Sequence, residues 1–220
     1  MGRLRRFYAS MVGKKVVMGV TGIIGIGFVI LHSLGNLLVF RGPAAINSYS
    51  HFLKSTSEFL WTLRIVLIIA VILHVIAAVQ LTRQSRAARP IGYNRQQAQV
   101  ATIASRTMRW GGALLLVFIV LHILHFTTGT LKPAGVFAPG DVYANVVTSF
   151  RIWWVTLFYV LSMVALGLHL VHGAWSSVRS IGVTPPSPDP LHRKISLVIA
   201  LLVWGAFTAV PVAVFSGFVR

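Results

Sequence analysis

The chain carries eight histidines, and four of them, His32, His74, His122 and His169, fall inside four different apolar runs. An imidazole can hold a metal through a neutral ring nitrogen, relay a proton, or simply bond a neighbouring carbonyl. The last role suffices for one histidine in hydrocarbon. Four, each in its own run, point to a shared task, because polar groups are costly at that depth and face the interior of a helix bundle.

The elements that must position them follow from composition. With 56% hydrophobic and only 10% charged residues, this is not the make-up of a soluble domain. Five runs, at about 16–40, 59–82, 110–130, 152–178 and 195–219, match or approach the ~20 residues a spanning helix needs. Arg64, near the start of the second, is close enough to the boundary to snorkel. The first run is too long for the apolar part of a signal peptide, and no small-residue cleavage pattern ends it before Arg41. The reading is an all-α integral membrane protein, one domain over 1–220, with five transmembrane helices in a bundle.

Charge sets the orientation. The N-terminus (Arg3, Arg5, Arg6, Lys14, Lys15), the second loop (Arg83, Arg86, Arg89, Arg95, Arg106, Arg109) and the fourth (Arg179, Arg193, Lys194) hold fourteen basic residues, against six on the other side (Arg41, Lys54, Arg64, Lys132, Arg151, Arg220). This excess predicts a cytoplasmic N-terminus and an outside C-terminus. The net charge of +17 does not indicate nucleic acid, since the arginines flank spans and no stacking aromatics interleave with them. Anionic lipid, carboxylates of a cofactor and an acidic soluble partner are the expected counterparts. There is no cysteine, which excludes disulfides, thiolate-held iron–sulfur clusters and covalent haem attachment within the chain.

Depth then sorts the histidines. At ~1.5 Å per residue, His32 and His122 lie beyond the midpoints of the outward-running first and third helices, in the outer half. His74 and His169 lie beyond the midpoints of the inward-running second and fourth, in the inner half. Two bis-histidine sites emerge, His32 with His122 and His74 with His169, offset by roughly 10 Å along the normal. That is the ligand set of two non-covalent b-type haems in a helix bundle. Gly25, Gly111 and Gly173 fall on the histidines' own faces, where they would spare room for a macrocycle or simply let helices approach. His125 and His172, three residues after His122 and His169, share their faces and are candidates to bond a propionate, a quinone oxygen or water. His51 and His192 fall in loops and read as solvated.

The loops are short. Gly42 and Pro43 break the first helix ahead of a polar and aromatic stretch, 47–52, suited to the interface. The middle of the second loop, 95–105, could be helical at the headgroup level. Pro185, Pro186, Pro188 and Pro190 make the fourth loop a stiff non-helical connector.

Taken in order, these residues resemble the single-chain, five-helix, two-haem cytochrome b anchors of succinate dehydrogenases and fumarate reductases. The carriers are His32-Ser-Leu-Gly-Asn36 followed by Arg41-Gly-Pro-Ala-Ala-Ile-Asn47-Ser-Tyr-Ser-His-Phe52, then His74, Arg109 thirteen before His122, and His169 with Gly173 and Trp175. The resemblance spans essentially the whole chain. It implies a subunit in the prokaryotic inner (plasma) membrane that anchors a flavoprotein and an iron–sulfur protein on the cytoplasmic face and passes electrons between them and a quinone. In the family the first- and third-helix histidines hold the distal haem and the second and fourth the proximal one, the pairing that depth predicts.

FAD and iron–sulfur clusters would then belong to the partner subunits, and succinate chemistry with them. Candidate propionate contacts are Arg106, Arg109 and Arg179 at the inner face and Arg151 at the outer, beside His125 and His172. The two-haem type commonly uses menaquinone, for which Asn47, His51 and Glu58 are outer-side candidates, and its complexes can associate further. Two rivals stand beside this reading: the di-haem anchor of a formate dehydrogenase or hydrogenase, and a haem-free transporter whose histidines line a polar path.

Overall fold

The computed structural model describes residues 2–88, 102–183 and 190–220, and among these it is helical with no strand. Five helices are long and apolar enough to cross a membrane. They are α2 (Met11–Leu37, tightening through a 3-10 turn at Leu38–Arg41), α4 (Ser57–Ala87), α5 (Ile103–His122, running into a π turn at Ile123–Thr127), α7 (Trp153–Ser180) and α8 (Pro190–Phe215). Three short helices complete the chain: α1 (Arg3–Ala9), α3 (Pro43–Ser55) and α6 (Val142–Phe150). This is the fold of a multi-pass membrane protein.

At the end that carries the N-terminus the long helices overrun the apolar runs, by two to seven residues, while at the other end α5 and α8 stop short of them, because helical hydrogen bonding does not follow hydropathy. Polar caps set the true starts: Ser10 accepts from the Gly13 N–H at 2.9 Å at α2, and Thr102 accepts from Ser105 at 3.2 Å at α5. The prediction of a helical stretch over 95–105 meets the structure only at its end, where 103–105 open α5; 95–101 lie outside the described residues, as do Pro185, Pro186 and Pro188. Pro190 does not prevent helix. It starts α8, where its missing N–H and fixed φ are no handicap.

α7 is the central post. It packs along α8, α5 and α2, while α4 leans on α2. α2 and α7 cross closely at Gly19 and Gly22, where an added Cβ would stand 3.0 Å from the Ser177 carbonyl oxygen and 2.8 Å from Ser177 Oγ. Small residues at such a crossing substitute for a hydrophobic driving force that lipid does not supply. By contrast α2 with α5, and α4 with α7, share no run of close backbone contacts. Two slots therefore remain between helices that a tight bundle would have closed.

The outer loops predicted from sequence are partly helical, and together they cap one end. Gly42, at φ 90°, makes the sharp turn that brings α3 back over α2. α6 buries Val146, Val147 and Phe150 against Val155, Tyr159, Val210 and Val214. Asn47 clamps the two short helices together, donating to Asp141 Oδ1 at 2.9 Å and accepting from the Tyr143 N–H at 3.1 Å. Asp141 also caps α6 by accepting from the Ala144 N–H at 2.9 Å.

Those two donors, first the Ala144 N–H and then the Asn47 amide, hold the Asp141 carboxyl below its ordinary value of 3.8. A depressed folded pKa means stabilisation that is present above the unfolded value and lost as pH falls through the folded one. Acidification below about pH 4 should therefore loosen α6. Hydrogen exchange of the α6 amides in detergent should accelerate over that window in the wild type, and Asp141→Asn should lose the pH dependence.

Candidate functional site

The four intramembrane histidines meet in the predicted pairs. The His32 and His122 ring centroids are 6.0 Å apart, and those of His74 and His169 are 6.2 Å apart. Each pair bridges one of the two slots, α2 to α5 and α4 to α7. Contacts along the helices give their vertical separation: His74 is level with Thr21, eleven residues before His32, and His122 is level with Tyr159, ten before His169. At ~1.5 Å per residue the pairs stand about 15–16 Å apart, a wider offset than the roughly 10 Å expected, because the real helices have different midpoints from the apolar runs.

The surroundings differ on the two sides of each ring. His74 Nδ1 lies 3.1 Å from Thr21 Oγ1, and His122 Nδ1 lies 3.4 Å from the Tyr159 hydroxyl. His32 has no ring hydrogen bond among the described residues; Phe28 stacks on it at 5.2 Å. His169 Nδ1 is buried without a partner, a condition that costs about 1–3 kcal/mol where nothing else satisfies the group. Glycines clear the space beside these rings. An added Cβ would stand 3.6 Å from His74 Cε1 at Gly22, 3.8 Å from His169 Cε1 at Gly112 and 3.9 Å from His169 Cδ2 at Gly173. At Gly25 it would meet nothing within 4 Å. Gly22 and Gly112 escape a face-matching argument because they serve a histidine on another helix.

Such pairs suit one kind of ligand. Two metal–imidazole bonds of about 2 Å, with the ring radii added, span about 6 Å between centroids. No cluster of three or more metal-binding side chains occurs among the described residues, so a bare ion at either pair would lack most of its coordination. A macrocycle that brings its own ring nitrogens would need only two facing imidazoles and a glycine-lined slot. The residues present fit a haem at each pair.

The other candidate residues scatter. His125, a candidate to bond a propionate, a quinone oxygen or water, finds its partners within the protein. It lies in the π turn and is 5% exposed, with Nδ1 3.0 Å from the Tyr159 hydroxyl and Nε2 2.9 Å from Ser149 Oγ. Both nitrogens are occupied by protein, which removes it as a propionate contact. His172 lies edge-on to Trp175 at 5.5 Å, and the Arg179 and Arg193 guanidiniums lie over the same indole at 5.8 and 5.1 Å. Arg106 and Arg151 are exposed. Arg109 joins Met11, Gln84, Ser85 and Ala88 around a cavity of about 630 Å³ at the end opposite the cap, and Gln84 Oε1 is buried without a partner. Asn47 is spent on the α3–α6 clamp, while His51 and Glu58 are exposed. The structure does not gather these three into a site.

Architecture and site together define an all-helical membrane protein with two facing-histidine slots. Compared with known families, curated proteins and solved structures, the chain matches none.

Replacing His125 with Leu would leave the Ser149 hydroxyl facing an apolar group and leave Tyr159 only its 3.4 Å contact with His122. Thermal unfolding in detergent should register a loss of about 1–3 kcal/mol per hydroxyl left unpaired. A stability equal to wild type would remove His125 from the fold's supports.

Proposed function

We propose that the chain is the membrane anchor and di-haem cytochrome b subunit of a succinate:quinone oxidoreductase, carrying electrons between an iron–sulfur subunit and membrane quinone. The observation that carries this reading is the pair of imidazole pairs, 6.0 and 6.2 Å across, one above the other in slots that the helices leave open.

A haem held by two imidazoles would supply one-electron exchange. The protein's part is to hold, insulate and space. The four neutral imidazoles would hold the two irons, one pair to each. Phe28 on His32 and Phe118 on His122, at 5.2 and 5.5 Å, keep water from the outer pair. α2 and α7 fix the vertical spacing, since each helix touches both pairs.

Twelve of those fourteen basic residues are described, and they fall at the end opposite the α3–α6 cap, which supports a cytoplasmic N-terminus and an electropositive face for docking acidic flavoprotein and iron–sulfur subunits. The His74–His169 pair would then be proximal to those partners. For the quinone, which the resemblance makes menaquinone, the cavity at the cytoplasmic end is a stronger candidate than the outer loop. Its 630 Å³ fall within the range of small-molecule sites, and Gln84 and Arg109 offer donors to a carbonyl oxygen. Arg106, Arg109 and Arg179 stand as the inner-side propionate candidates of this reading.

The complex purified with its native partners should show two b-type haems per chain in a reduced-minus-oxidised spectrum with pyridine haemochrome quantification. His32→Ala and His122→Ala should each remove one haem, and His74→Ala and His169→Ala the other. Gly112→Leu, which projects into the inner slot, should cost only the second. A haem-free wild-type complex would falsify the assignment, and recovery without a flavin subunit would move it to another respiratory complex.

A further inference from the structure

We propose that Thr21 and Tyr159 are positioning residues, each fixing the tautomer of one haem-facing imidazole, so that each pair contains one anchored and one unanchored ligand. The inference rests on the haem reading above, and hydroxyl arithmetic carries it. A hydroxyl has one proton to donate and two lone pairs.

Thr21 Oγ1 lies 2.8 Å from the Val17 carbonyl oxygen and 3.1 Å from that of Met18. Carbonyls only accept, so the single threonine proton points to them. At the 3.1 Å contact with His74 Nδ1 Thr21 must therefore accept and His74 donate. Nδ1 then carries the ring proton, and the Nε2 lone pair is free for the slot shared with His169.

Tyr159 reaches the same result by another route. Its hydroxyl meets His125 Nδ1 at 3.0 Å and His122 Nδ1 at 3.4 Å, and one proton cannot serve both. The chain of groups has two self-consistent directions. In one, Tyr159 donates to His122 and leaves it without a free Nε2 lone pair. In the other, His122 Nδ1–H donates to Tyr159, Tyr159 donates to His125 Nδ1, and His125 Nε2–H donates to Ser149 Oγ at 2.9 Å. Only the second lets His122 act as an Nε2 ligand, so His122, Tyr159, His125 and Ser149 form one directed relay of hydrogen bonds ending on α6.

The partners lack this support. Neither ring nitrogen of His32 is bonded among the described residues, and His169 Nδ1 is buried and unpaired. An imidazole that donates its second N–H is held in orientation and is the more basic ligand. It therefore favours the oxidised over the reduced metal.

The test is a spectroelectrochemical titration of the complete complex carrying Tyr159→Phe, Thr21→Val or Thr21→Ser. Tyr159→Phe should raise the potential of the His32–His122 haem alone, and Thr21→Val that of the His74–His169 haem alone. Each shift should be about fivefold in the reduced-to-oxidised ratio, the scale of one net hydrogen bond, or about 40 mV for one electron. Thr21→Ser keeps the hydroxyl and should keep the wild-type potential. Both haems bound with unmoved potentials, or both moving together in each variant, would overturn the inference while leaving the haem reading intact. Should Tyr159→Phe fail to assemble, the Thr21 variants decide alone: an unmoved potential in Thr21→Val overturns it. A wild-type complex without haem removes reading and inference together.

Discussion

An imidazole in the middle of a hydrocarbon layer has no water to bond, and the arrangement of these helices follows from where its nitrogens find partners. Every buried polar group must be satisfied within the protein or by something the protein holds. The intramembrane histidines form a graded series in this respect. His125 has both nitrogens bonded to protein. His74 and His122 have one each. His32 has neither among the described residues, and His169 keeps a buried orphan. A leucine or phenylalanine at any of the last four positions would pack without that penalty. Stability therefore does not account for them, and the proposed haems, each taking one lone pair from either side, would.

The same constraint explains why the bundle is loosely closed across the two histidine slots and tightly closed along its other seams. Near the cap, Val39, Val155 and Val214 are almost fully buried, and along the α7–α8 seam Leu170, Ala200 and Val203 form a second cluster. Between them α4 hangs on α2, and α5 on α7, while the members of each histidine pair face each other across a gap. Leaving those slots open gives up dispersion contacts that a filled core would make. The glycines at the α2–α7 crossing offset this by letting the two shared posts approach closely, so that rigidity comes from one seam and room from the other two.

How much of this was legible in the sequence depends on the range of the interaction concerned. Hydropathy over twenty-residue windows averages out local detail, so the five spans and the histidine pairing could be read directly. Helix ends could not, because capping by Ser10 or Thr102 is decided by single side chains. α6 was missed because nine residues are too few to be stable alone, and its formation depends on Asp141, Asn47 and the apolar floor beneath it. Residues three apart on a helix are expected to share a face, and His122 and His125 do, meeting the same Tyr159 hydroxyl; the spacing does not reveal the second bond of His125, to Ser149 on α6. Thr21 and Tyr159 lie 53 and 37 residues from the histidines they bond. No spacing announces such contacts, although a tyrosine in mid-span is itself a signal that its hydroxyl has work to do.

The two pairs consequently differ in what their geometry depends on. The Thr21 contact to His74 is anchored on the α2 backbone itself, through the Val17 and Met18 carbonyls, and moves only if that helix moves. The Tyr159 contact to His122 continues through His125 to Ser149, and Ser149 belongs to a short helix that is held in place by the Asn47–Asp141 clamp. One ligand is thus fixed by a spanning helix, the other by the cap through four groups in series. A disturbance of the outer loops therefore has a covalently unconnected but hydrogen-bonded route to His122, and none of comparable directness to His74.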